Sequence, residues 1–153
     1  MLPPAAAAQA SAQLRAVFDL RFDCERPFLV REHPIRATFD AVLRSDKSAS
    51  ADLAIRGRIF TNTVHFEAQL GGGAQPAPGG TSLLRVVSGN QLRAVWDLPN
   101  NQLVLDIISK GKACAAKLAM KLKPGKRDYT MFDGRTFYYC SAQRLLSTSC
   151  EAR

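Results

Sequence analysis

Apolar and polar residues alternate over most of this chain. In residues 14–24 every even position is apolar, from Leu14 to Cys24, whereas the odd positions carry mainly charged side chains such as Arg15 and Asp19. Successive side chains of a β-strand point to opposite faces, so a period of two predicts a half-buried strand and not a helix. The same alternation recurs over residues 35–44, 52–59, 63–70 and 91–98.

Turn motifs separate these segments at intervals of roughly 8–12 residues, which is typical of antiparallel barrels and sandwiches. They are Ser88-Gly89-Asn90, Pro99-Asn100-Asn101, Ser109-Lys110-Gly111 and Asp133-Gly134, the last of which favours a tight hairpin. We therefore predict an all-β fold, an antiparallel β-barrel or sandwich of about 8–10 short strands, with a C-terminal hairpin tied by a disulfide. The predicted organisation is a leader over residues 1–13 and a single β domain over residues 14–153, with a flexible Gly- and Pro-rich loop over residues 71–81.

One segment, residues 112–123, is ambiguous by pattern alone. As a helix it would align Cys114, Leu118 and Leu122 on one stripe, and its alanines favour that state. As a strand it would place Lys117 and Lys121 together on one face. The hairpin-like turns on both sides favour the strand.

The alternation also predicts which side chains face inward. Large apolar residues share the inward positions, and small ones such as Ala37 and Ala94 lie among them. A barrel of this size is either filled by its side chains, which we expect, or holds one apolar ligand. The large inward residues are Phe18, Phe22, Phe39, Leu43, Phe66, Leu92 and Trp96.

The amino terminus and the cysteines point to export. Ala8-Gln9-Ala10 and Ala10-Ser11-Ala12 match the small-x-small pattern that signal peptidases cleave, although no basic and apolar regions precede it. We interpret residues 1–13 as the end of a signal peptide. The alternative is a disordered, alanine-rich leader.

Four cysteines, an even number in a small chain, predict disulfides. We favour the pairs Cys140–Cys150 and Cys24–Cys114, although four cysteines allow three connectivities. The alternative is four reduced, buried thiols in a cytosolic protein. No C-x₂₋₄-C spacing is present, so no zinc site is predicted.

The charge distribution is the one uneven feature. The 153 residues are 46% apolar and 22% charged, which is an ordinary globular mixture. No apolar run is long enough for a transmembrane helix. The net charge, however, is +8. Residues 110–127 contain seven basic side chains and no acid. On a strand, Lys117, Lys121 and Lys123 form a row that suits a polyanion. The alternative is that these lysines keep an edge strand soluble and unpaired.

Candidate catalytic groups are scarce. The chain has two histidines, His33 in an apparent turn and His65 on an outward strand position, and no Gly-x-Ser-x-Gly elbow accompanies them. Phosphate-binding and metalloprotease motifs are also missing. We therefore lean against an enzyme and predict no cofactor and no metal.

The leading prediction is a non-catalytic, periplasmic or secreted protein that binds an anionic or amphiphilic ligand, namely a lipid, lipopolysaccharide or acidic polysaccharide. No nucleic-acid partner is expected, whereas association with a membrane surface fits the charge. One alternative is a protein-binding module, such as an enzyme inhibitor or envelope-complex subunit, that uses the basic face and the C-terminal tyrosine hairpin. The other is a hydrolase whose active-site residues come together only when the chain folds. The predicted ligand-binding residues are Lys117, Lys121, Lys123, Arg93, Trp96, Phe39 and Phe66.

Overall fold

A computed structural model describes residues 11–68 and 72–153, and within those ranges the chain forms eleven β-strands. No helix in those ranges is long and apolar enough to cross a membrane. The strands are β1 (Ser11–Arg26), β2 (Val30–Arg44), β3 (Ala49–Gly57), β4 (Thr61–Ala68), β5 (Gln75–Ala77), β6 (Gly80–Ser88), β7 (Gln91–Asp97), β8 (Asn101–Lys110), β9 (Ala113–Leu122), β10 (Tyr129–Phe132) and β11 (Phe137–Ala152).

The strands form two antiparallel sheets that curve into a nearly closed barrel, as the alternation predicts. The large sheet has the order β10-β11-β1-β2-β3-β4, and the small sheet has the order β5-β6-β7-β8-β9. Their side chains contribute to one hydrophobic core. All seven of the large residues predicted to face inward are buried there.

The sheets meet at two seams. At the first, the Ser82 hydroxyl of β6 donates a hydrogen bond of 3.0 Å to the carbonyl of His65 on β4. At the second, a disulfide between Cys114 of β9 and Cys150 of β11 joins the sheets with a Cα–Cα distance of 5.5 Å. The barrel wall is therefore held together at its seams by side chains.

The favoured disulfide pairing is wrong. The structure pairs Cys24 with Cys140 and Cys114 with Cys150. Cys140 and Cys150 lie on the same strand, β11, where ten residues of extended chain span about 33 Å, and no disulfide bridges that distance. The Cys24–Cys140 bond links β1 to the start of β11, so a disulfide does tie the C-terminal hairpin to the barrel.

Two boundaries in the structure differ from the predicted ones. The predicted leader extends to residue 13, but β1 begins at Ser11, and Gln13 exchanges backbone hydrogen bonds with Arg153. Residues 1–10 lie outside the described part, so the signal-peptide interpretation stays a prediction. Within the predicted loop 71–81, β5 forms and β6 begins, and Pro76 fits because β5 is an edge strand.

The remaining local predictions are confirmed with small shifts, except at one turn. Residues 113–122 form strand β9, as the flanking turns favour. The C-terminal hairpin exists, but its central residues are Gly134 and Arg135 because Asp133 pairs with Thr136. The predicted turn at His33 is a strand position: His33 is buried on β2, where it contacts the ring of Phe60.

Replacing Cys114 and Cys150 together by serine should destabilise the protein. This disulfide closes a sequence separation of 36 residues, and the chain-entropy model assigns roughly 3–4 kcal/mol to such a loop. Urea unfolding followed by fluorescence of Trp96, the single tryptophan, measures the effect. An unchanged unfolding midpoint would show that packing alone holds this seam.

Candidate functional site

The predicted ligand-binding residues separate into two groups. Phe39, Phe66 and Trp96 are inside the barrel and at most 1% exposed. The Phe39 and Phe66 rings pack edge to face with centroids 6.0 Å apart, and the Trp96 indole N–H donates a hydrogen bond of 2.7 Å to the carbonyl of Pro78. The structure therefore places these three aromatic residues in the packed core, where each has partners within the protein.

The basic members of the predicted site lie outside the barrel. Arg93, Lys117 and Lys121 occupy outward positions of β7 and β9. Lys123 follows β9, and its ammonium group contacts the Asp97 carboxylate at 3.2 Å and the Leu98 carbonyl at 2.6 Å. Sequence reasoning thus found the charged face, but the barrel wall separates it from the aromatic residues.

An apolar row crosses this outer face of the small sheet. Strand register aligns Leu83, Val95, Val104 and Ala119 on β6, β7, β8 and β9. Val104 is only 7% exposed, although its register with Val95 and Ala119 places it on the outer face. Exterior strand positions are usually polar, so a continuous apolar row makes this face a candidate contact surface.

A charged row runs beside the apolar one. It comprises Arg85, Arg93, Asp106 and Lys117, which the register places one step further along the same strands, about 7 Å from the apolar row. The Arg93 guanidinium donates to both carboxylate oxygens of Asp106, at 2.7 and 3.3 Å, and this bond raises the pKa of Arg93. The row carries three positive charges and one negative charge.

Arg85 is an exposed cation at the β6 end of this row. It lies directly opposite Arg93, and like charges facing each other across a sheet are unfavourable. Among the described residues no hydrogen bond or ion pair engages its guanidinium. An anion placed beside Arg85 would relieve this repulsion.

A shallow groove of about 460 Å³ joins the two rows at the β6–β7 edge. Apolar and cationic side chains share its lining, so it suits a molecule with both characters. Sequence reasoning missed Arg85, Leu83 and Val86 here, although Val95 at an outward position was an available signal. The lining residues are Leu83, Arg85, Val86, Val87, Arg93 and Val95.

His65 lies on the opposite side, on the exposed face of β4. Its Nδ1 is 2.8 Å from Asp52 and its Nε2 is 2.7 Å from Glu67. These two carboxylates, Asp52 foremost, raise the pKa of His65. Because both ring nitrogens are already engaged by carboxylates, the cluster acts as an ion-pair network and offers no free nitrogen to activate a nucleophile.

His33 is the second histidine and lies in the core. Burial lowers its pKa, with a smaller contribution from the positive charge of Arg58. Its Nε2 is buried without a hydrogen-bond partner, against Phe60 and the backbone at Gly57. A buried neutral imidazole whose Nε2 has no polar partner is a packing group here.

The aromatic residues of the C-terminal hairpin mainly cover one end of the core. Tyr138 is 4% exposed and packs on Phe60 with ring centroids 4.7 Å apart, and Phe132 contacts Phe137 at 4.6 Å. The ring of Tyr139 carries the Arg26 guanidinium 4.5 Å from its centroid.

Comparison of this chain with protein-family models, curated proteins and solved structures finds no match. Among the described residues no group of three or more His, Cys, Asp or Glu side chains is arranged to hold a metal ion. The two disulfides indicate an oxidising environment of the extracellular type.

The two histidines should give the protein opposite pH dependences. The raised pKa of His65 stabilises the folded state below its unfolded pKa of about 6.5, and this stabilisation is lost as the pH rises through the folded value. The lowered pKa of His33 stabilises the folded state above about pH 6.5, and this is lost as the pH falls through the folded value.

Urea unfolding at about pH 5 and pH 8 separates these contributions. His65→Gln should lower the free energy of unfolding more at the acidic pH, by less than about 1 kcal/mol because the ion pairs are exposed. His33→Leu should change the free energy of unfolding more favourably at the acidic pH than at the alkaline pH. Equal effects of each substitution at both pH values would contradict the assignment.

Proposed function

We propose that this protein is a non-catalytic, exported binding protein that holds an anionic amphiphile on the outer face of its small sheet. The observation that carries the proposal is that the apolar row, Leu83 to Ala119, runs beside the charged row, Arg85 to Lys117. An acyl chain of a lipid or lipopolysaccharide would lie along the apolar row. Its phosphate or carboxylate would lie beside Arg85.

Three physical arguments support an amphiphile over a purely polar anion. Burying Val95 and the side chains around it would remove apolar surface from water, at about 25 cal/mol per Å². The uncompensated charge of Arg85 offers a planar donor set that matches phosphate and carboxylate oxygens. The net charge of +8 attracts anionic surfaces over distances of about 8–10 Å at ordinary salt concentrations.

The exported location is supported by the two disulfides, which persist in a periplasmic or extracellular setting. The alanine-rich segment before Ser11 fits the same proposal as the end of a signal peptide. Anionic lipids and lipopolysaccharide are ligands of the same compartment.

Arg85→Glu should weaken binding to anionic vesicles by at least roughly tenfold, because a basic residue at an anionic surface contributes about 1 kcal/mol and the reversal adds repulsion. The substitution should not unfold the protein, since the introduced carboxylate would face the guanidinium of Arg93. Co-sedimentation with phosphatidylglycerol vesicles measures the loss of binding, and neutral phosphatidylcholine vesicles should not bind the protein.

Arg144→Glu is the matched control, because it makes the same charge change on the large sheet, again opposite an arginine, Arg21. Equal losses in the Arg85 and Arg144 variants would mean that net charge alone drives binding. Val95→Thr tests the apolar row: it should weaken vesicle binding but leave retention on a heparin column unchanged. If Val95→Thr reduced both vesicle binding and heparin retention, the case for an amphiphile would be removed.

A further inference from the structure

The seam between β9 and β11 leaves two strand edges without ladder partners. One edge of β11 pairs with β1 from Tyr139 to Ala152, but β10 covers the other edge only from Phe137 to Cys140. One edge of β9 pairs with β8, and no strand in the described part of the chain pairs with its other edge. Backbone N–H and C=O groups along both edges are therefore available to a further strand.

The seam is bridged at its two ends, and no ladder joins β9 to β11 between them. At one end the disulfide joins Cys114 to Cys150. At the other end β10 reaches the small sheet, where the Thr130 backbone N–H donates a hydrogen bond of 2.7 Å to the side-chain carbonyl of Asn101, opposite Leu122. Between these ends, residues 141–149 of β11 extend over about 30 Å without a ladder partner on this edge.

Side chains that point inward at this seam are more exposed than their partners on the neighbouring strands. Leu145 lies opposite Leu20, which is 3% exposed, yet Leu145 itself is 40% exposed. On β9, Leu118 is half-buried although its partner Leu105 is 2% exposed. The exposure of these inward leucines shows that the wall lacks cover between β9 and β11.

The outward side chains that border the opening are basic or neutral. Arg144 borders it on β11, and Lys117 and Lys121 border it on β9. No acidic residue occurs in residues 115–121 or 141–149. A second copy would therefore bring like charges to the opening, which disfavours self-pairing.

We propose that the β9–β11 seam is a docking groove for an extended acidic segment of a partner protein. The segment adds as a strand to the free edge of β11, a recognised mode of peptide binding in which main-chain hydrogen bonds give affinity and alternate side chains give specificity. Apolar residues at every second position cover Leu145 and Leu118. Acidic residues at the intervening positions face Arg144 and Lys121. This proposal does not rest on the amphiphile site, although Lys117 borders both surfaces.

The test uses a ten-residue peptide that alternates valine with glutamate and two matched peptides. In the first, lysine replaces glutamate. In the second, every backbone amide is N-methylated, so that the backbone loses its donors. Isothermal titration should show binding of the glutamate peptide that weakens with salt, and no binding of the other two.

Hydrogen exchange locates the contact without any substitution. Amides of an antiparallel strand point alternately to its two neighbours, so every second amide of residues 141–149 faces the seam and should exchange fast in the free protein. The glutamate peptide should slow these amides, whereas the amides bonded to β1 are already protected. Protection that appears only on β6 or β7 would overturn the proposal.

Arg144→Glu should weaken binding of the glutamate peptide on the order of tenfold, a loss of about 1.4 kcal/mol. Arg85→Glu is the control here and should leave peptide binding unchanged, so the failure of either proposal is visible separately. Equal binding of the glutamate and lysine peptides would overturn the docking groove. So would a dimer in sedimentation equilibrium that protects residues 141–149, since a second copy would then occupy the seam.

Discussion

Two sheets that curve toward each other to enclose a core leave strand edges, and the polar backbone groups of each edge need partners. In this barrel the edges do not join by continuous hydrogen-bonded ladders. Ser82 bridges one seam through its hydroxyl, and the Cys114–Cys150 bond bridges the other. The disulfide therefore fixes one end of the β9–β11 seam, while hydrogen bonds from Thr130 to Asn101 fix the other end. The covalent end depends on the oxidising environment that the bond requires.

The fold was predictable from the sequence because one signal recurs in nearly every segment. A period of two fixes both the strand state and the buried face, so residues such as Phe18 and Trp96 can be placed correctly without knowledge of the strand pairing. Disulfide connectivity was not predictable, because it depends on which strands become neighbours. Cys140 and Cys150 are close in sequence, but the extended conformation of β11 keeps them apart.

The candidate surfaces were only half predictable. Charge clustering identified Arg93 and Lys117. The alternation alone, however, does not predict that outward residues of four strands align into rows. That alignment depends on register, which brings Leu83 beside Val95 and Arg85 beside Arg93. The seam was not predictable either, because Leu145 has the pattern of a core residue and becomes exposed only through the missing neighbour.

Like-charge pairs across strands that contain an uncompensated member distinguish these two surfaces from the rest of the barrel. Four like-charge pairs occur in the described register: Asp40 with Asp52, Arg36 with Arg56, Arg85 with Arg93, and Arg21 with Arg144. In the first two pairs every member also bonds an oppositely charged side chain or a backbone carbonyl. Arg85 and Arg144 have no such partner among the described residues. Opposed cations cost stability, and local departures from the rules of folding tend to coincide with functional sites. Arg85 lies on the outer face proposed for the amphiphile and Arg144 at the seam proposed for the peptide, so the two uncompensated arginines coincide with the two surfaces that the apolar pattern indicates independently.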